Sequence, residues 1–254
     1  MSLARRHRER VLAARHAGAD APAGGAASAS PGAPARSAAD VAAAQVGLRL
    51  AHDLRRLKQI QSLERKIEAK RTMLPEYGPW IEGLLAAGKP GDQVGASAEV
   101  LPTIMTWRID VGDYEGAMPL VRHVLRHGIA MPPRFQRQAP VLIVEEMAEA
   151  ALKLLARGED FPLHVLEELE LRIEDVDMPD EVRAKLMKAI GLAYDRRGAD
   201  AAAREEDADA LADACRALVA FKRAEQLHDR VGVKDRIRKI ERAQAKAAAA
   251  ETEE

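Results

Sequence analysis

Apolar positions along this chain recur at three- and four-residue spacings and show no convincing period-two alternation, so the pattern predicts helices and no sheet. The clearest run spans 40–72, where Val46, Leu50, Leu54, Leu57, Ile60, Leu63 and Ile67 form one stripe. The opposite face carries Arg49, Arg55, Arg56, Lys58, Arg65, Lys66, Lys70 and Arg71. Asp40 suits an N-cap and Pro75 requires an end before it. The rhythm slips between Leu57 and Ile60, so the segment reads as one long, coiled-coil-like amphipathic helix with a basic side.

Downstream, a short helix is expected around Trp80–Ala86, ended by Gly88, Pro90 and Gly91. Two more follow at 98–111 and 114–127, joined by a Gly112-Asp113 turn and closed by Gly128. After the loop MPPRFQRQAP (131–140), with Arg134 and Arg137, come helices at 141–157 and 163–172. Pro179 and Asp180 open another that ends in arginines before Gly198, and a final pair covers 208–228 and 234–249. The fold class is all-α, with 73–249 read as one domain of helical hairpins resembling degenerate tetratricopeptide repeats.

Both ends differ from this body. Residues 2–17 can form a short helix, but Leu3, Val11 and Leu12 supply too little apolar surface for independent stability, so a disordered basic arm is expected. Residues 18–39 are an Ala/Gly/Pro/Ser linker, making 1–39 arm plus linker, and 250–254 is an acidic tail. The net charge of −1 gives no general case for nucleic acid. Its distribution does, because Arg5, Arg6, Arg8, Arg10 and Arg15 face only Glu9 in the first sixteen residues. The single cysteine, Cys215, excludes an internal disulfide and reads as a small buried side chain in a reducing compartment. No apolar run reaches the roughly 20 residues that span a bilayer, so no membrane role is expected.

Candidate chemistry is sparse. His123 and His127 have metal-ligand spacing without a third ligand, and read as surface or capping residues. Glu145, Glu146, Glu149, Glu167, Glu168, Glu170, Glu174, Asp175, Asp177, Asp180 and Glu181 leave open a Mg²⁺-dependent nuclease, since two-metal phosphoryl transfer needs converging carboxylates; solvated helix faces are the alternative. No phosphate-binding glycine loop followed by Lys-Ser/Thr is present, so ATP hydrolysis is not expected. Trp80 and Trp107 can stack on bases or fill a core, and the apolar neighbours of Trp107 favour the core. The basic arm and basic helix face are the strongest signal: cations that neutralise phosphates give salt-sensitive, sequence-independent affinity. The alternatives are a solvated surface or coiled-coil pairing.

Two phrases add a resemblance: LPTIMTWRIDVGDYEGAMPLVRHVLRHGIAMPP (101–133) and MPDEVRAKLMKAIGLAYDRRG (178–198). They resemble the small terminase subunit, also called the terminase endonuclease subunit, of P-two-like temperate tailed phages. The resemblance is strongest over 73–192. It implies a ring-like homo-oligomer in the cytoplasm of a bacterial host that binds the cohesive-end packaging-start region of viral double-stranded DNA. It also implies delivery of that DNA to a large terminase subunit holding the ATPase and, in most terminases, the nuclease. Phosphate contacts are expected from Arg5, Arg6, Arg8, Arg10 and Arg15, then Arg49, Arg55, Arg56, Lys58, Arg65, Lys66 and Lys70. No catalytic residue carries over and no cofactor is expected, with Mg²⁺ needed only for the nuclease alternative. Trp107, Asp110, Gly112, Asp113, Gly116 and Ala117 look like the shapers of a helical hairpin. A non-DNA assembly scaffold is a third reading.

Overall fold

A computed structural model describes residues 3–17, 38–88 and 98–252. The described residues are helical and contain no strand, an all-α fold as the spacing requires. The proposed linker falls largely in 18–37, outside the described residues, as does the end of the acidic tail. Contacts divide the chain into two compact units, 1–139 and 140–254, a boundary inside the stretch read as one domain.

Unit 1 contains α1 (Leu3–Ala17), α2 (Ala38–Gln59), α3 (Leu63–Met73), a 3₁₀ turn at Leu74–Glu76, α4 (Gly78–Ala87), α5 (Val100–Asp110) and α6 (Tyr114–His127). The basic arm is corrected here: α1 is a helix packed on α4 and α2, and Ala13 is fully buried. Its contact with α4 is made by a small residue against Gly83, which presents no large apolar side chain for periodicity to detect. The single long helix is also corrected. It breaks at 60–62, where Ser62 becomes the N-cap of α3 by accepting a hydrogen bond from the Arg65 amide at 3.3 Å. The break follows the slip between Leu57 and Ile60, after which one straight helix cannot keep both stripes on one side.

α5 and α6 pack together across the Gly112 turn, whose φ of +83° is open to glycine and costly for other residues. Asp113 caps α6 by accepting from the Gly116 amide at 3.0 Å, and its other oxygen accepts from Arg108 at 2.8 Å. The Trp107 ring meets Tyr77 edge-on at 5.9 Å, and both tryptophans are core residues, at 3% (Trp107) and 1% (Trp80) exposure. His123 is buried rather than superficial, with Nε2 unpartnered beside the His127 ring.

Unit 2 contains α7 (Ala139–Ala156, whose first residue precedes the boundary), α8 (Leu163–Arg172), α9 (Asp180–Ala203), α10 (Asp207–Leu227) and α11 (Lys234–Thr252). α9 and α10 form its main hairpin, α8 packs on α9, and α11 on α10. Two glycines of α9 set the spacing. Gly191 lies under the Phe221 ring, and Gly198 lies against Asp213 and Ala210, so α9 runs through the expected stop at Gly198 to Ala203. Cys215 is exposed on α10, contrary to the buried role read from the sequence.

Candidate nucleic-acid interface

The twelve cations expected to meet phosphate all belong to α1, α2 and α3, and tertiary contacts sort them into two sets. Arg49 is held inside unit 1. It donates to the Glu76 carbonyl at 2.8 Å, lies 3.7 Å from Glu9 and covers the Tyr77 ring. Below it the Tyr77 hydroxyl donates to the buried Asp53 carboxylate at 2.8 Å; burial, reinforced by that bond, raises the phenol well above its ordinary value. Lys70 ties α3 to α5 through Asp110 at 2.5 Å, with only 16% of its side chain exposed. Both side chains fasten helices of unit 1 to their neighbours.

Arg5 and Arg10 are intermediate: each pairs with an acid, Glu9 and Glu82 respectively, while about half its side chain stays in solvent. Such exposed pairs are weak and can exchange partners. Arg6, Arg8, Arg15, Arg56, Lys58 and Arg65 are exposed and have no acidic partner among the described residues. Arg55 is exposed as well, its Nε donating to the Ala51 carbonyl one turn back. Lys66 is half-buried.

Charge is divided between the units more sharply than the net value of −1 suggests. Residues 1–139 hold 20 Lys and Arg against 13 Asp and Glu, a balance of +7; residues 140–254 hold 19 against 27, a balance of −8. A polyanion is attracted by the first unit and repelled by the second.

Against this geometry stand the likenesses to known proteins. Residues 47–181, just over half the chain, match the sequence model of the phage small terminase subunit family. The "Terminase, endonuclease subunit" of Escherichia phage P2 is 40% identical over 198 residues, which cover 78% of this chain and 72% of that protein. The chain belongs to the phage small terminase subunit family. No solved structure matches it.

Membership directs attention to the acids, because the phage P2 relative carries the word endonuclease in its name. In this family member several of the carboxylates weighed for a nuclease have other partners. Glu145 and Glu149 converge on Lys185 at 3.5 and 3.1 Å, and Glu168 accepts from Arg172 at 2.6 Å. Glu167 accepts from the Tyr194 hydroxyl, which burial and that carboxylate push up to about 12. Glu170 is also raised, by burial and then by Glu167, so it gives up its charge more readily than a solvated carboxyl. Among the described residues no three His, Cys, Asp or Glu side chains are placed to hold a metal ion. Nor is any described helix long and apolar enough to cross a membrane.

The arginine sorting had no signal in the sequence. Arg49 and Arg56 look equivalent on a helical wheel, and only Glu9, Glu76 and Tyr77, brought in from other elements, make the first internal.

Proposed function

We propose that this chain is the small subunit of a DNA-packaging terminase, which binds the packaging-start (cohesive-end) region of viral double-stranded DNA and presents it to a large subunit carrying the ATPase and nuclease. The observation that carries the reading is the division of charge, +7 in unit 1 against −8 in unit 2, with exposed cations on α1, α2 and α3 lacking acidic partners among the described residues. Arg6, Arg8, Arg15, Arg56, Lys58 and Arg65 lead as phosphate contacts, with Arg5, Arg10, Arg55 and Lys66 supporting them. Arg49 and Lys70 hold the helices that carry these groups. A ring-like homo-oligomer in the host cytoplasm would multiply the same surface around one duplex.

Band-shift titrations of the full chain with duplex DNA at increasing salt, with Mg²⁺ present, test this directly. Retardation that weakens steeply with salt, without strand breaks, is expected. Absence of retardation at low salt, together with no association with a large terminase subunit, overturns the proposal.

The second reading, an endonuclease in its own right, has the name of the phage P2 relative as its support. Mg²⁺-dependent strand breaks by the isolated chain, abolished by Glu145→Ala or Glu149→Ala, would establish it in place of the first. The involvement of both acids with Lys185 favours a structural role for them.

A further inference from the structure

α2 has two faces of opposite character; of the proposed phosphate contacts on it, Arg56 and Lys58 lie at the edges and Arg55 on the outer face. Its inner stripe, Val46, Leu50, Asp53 and Leu57, is buried. Half a turn away Ala44, Gln45, Leu48, Ala51, His52 and Arg55 share one face, each three or four residues from another of the set, and every one is exposed. Leu48 is 70% exposed, an apolar side chain left in water at the centre of this face. At 100° per residue, Arg56 and Lys58 point roughly 80° to either side of Leu48. The helix is 22 residues long, about 33 Å. α1 borders one side of the face, where Val41 and Gln45 line a pocket with Arg5, Arg8 and Leu12, and Leu48, Ala51, His52 and Arg55 stand exposed beyond it.

We infer that this outer face lies in the major groove of duplex DNA and reads base edges. The inference rests on the DNA-binding reading above and adds to it a source of sequence preference. The occupant is chosen by chemistry. An arginine fork fits the two acceptors of guanine, a glutamine amide fits the donor and acceptor of adenine, and alanine and leucine side chains fit the thymine methyl. Arg55, Gln45 and the Ala44-Leu48-Ala51 strip supply these on one face. The flanking Arg56 and Lys58 then meet the phosphate walls on opposite sides of the groove, which fixes register without reading sequence. A second protein copy on the same face would bring two sets of these cations together in a unit already at +7, so charge complementarity selects the polyanion.

The test separates sequence reading from phosphate binding. A randomised 20-base-pair duplex library is selected on the full chain, and affinities for the enriched duplex and the unselected library are compared. Gln45→Ala and Arg55→Lys both preserve charge, and both sites are exposed, so folding is undisturbed. Each is expected to reduce the enriched-to-library affinity ratio about 5- to 100-fold; Gln45→Ala leaves library affinity unchanged, and Arg55→Lys, which keeps the charge, leaves the salt dependence unchanged. Arg56→Ala is expected to weaken both affinities equally. The inference is overturned if wild-type protein binds the library but enriches nothing, or if both charge-preserving variants keep the full ratio. It is also overturned if Leu48→Glu lowers the oligomeric state measured by light scattering, which would assign the face to a second copy. If wild-type protein binds no duplex at all, the DNA-binding reading itself has failed.

Discussion

Gly83 of α4 is the seat of Ala13 of α1. A Cβ added at position 83 would stand 2.5 Å from the Ala13 Cβ and closer still to the Arg10 carbonyl oxygen, so the two helices touch backbone to backbone. The arginines of α1 thus project from a docked helix rather than from a free arm. Gly83→Ala should lift α1 from α4 and destabilise unit 1 by about 1–3 kcal/mol, as overpacking of tight contacts does. Thermal melting should show the loss, and trypsin should cut at Arg10 and Arg15 faster than in the wild type. Unchanged melting and cleavage would mean that α1 does not dock here.

The two sets of cations should separate in experiment. Arg56→Ala with Lys58→Ala removes two exposed charges without acidic partners among the described residues, so the slope of log affinity against log salt should fall by about 2 at constant melting temperature. Lys70→Ala removes the partner of Asp110, whose side chain is 30% exposed. It should lower stability by about 1 kcal/mol and leave the salt slope alone. The reverse pattern would move the interface to α3 and α5.

These contrasts mark what the sequence could and could not disclose. Periodicity finds most helices, and the slip after Leu57 coincides with the break that Ser62 caps. The Gly112-Asp113 turn is equally legible, because a positive φ and an N-cap each demand particular residues. By contrast, Ala13 on Gly83 and Phe221 on Gly191 are contacts made by the absence of side chains, and a hydrophobic pattern has nothing there to register. Gly198 misleads for the same reason, since a glycine that admits α10 looks identical in sequence to one that ends a helix. The interface is legible only as a set of basic residues; which of them face water depends on partners up to 40 positions away, as with Lys70 and Asp110.

Unit 2 holds a buried carboxylate that should govern its acid stability. Asp213 accepts two hydrogen bonds from Arg197, each 2.6 Å, and one from Arg216 at 3.0 Å. The bonds from Arg197 hold its carboxyl below the ordinary aspartate range. A depressed value means that the stabilisation is complete above the unfolded-state value of about 3.9 and is lost as pH falls through the lower folded value. Asp213→Asn should cost about 2 kcal/mol near neutrality, limited because both arginines remain half in solvent and can be hydrated. The gap between wild type and variant should hold from pH 7 to about 4 and close toward pH 2. A gap independent of pH would show that Asp213 contributes by shape alone.

His123 should give unit 1 a pH dependence of its own, in a higher range. Burial lowers its affinity for a proton, and the neighbouring His127 and Arg126 lower it further. Between the folded value and the ordinary value near 6.5 the unfolded chain binds more protons than the folded one. Stability therefore rises with pH across that window and falls on acidification below about 6.5. His123→Leu removes the titrating group and the unpartnered Nε2 together while keeping an apolar side chain of similar size on the buried face of α6. The wild type should lose more melting temperature than this variant between pH 7.5 and pH 5, whereas His127→Leu should leave most of the difference in place. Parallel losses in wild type and His123→Leu would show that the imidazole takes up its proton as readily in the folded chain as in the unfolded one, and would remove it as the source of acid sensitivity.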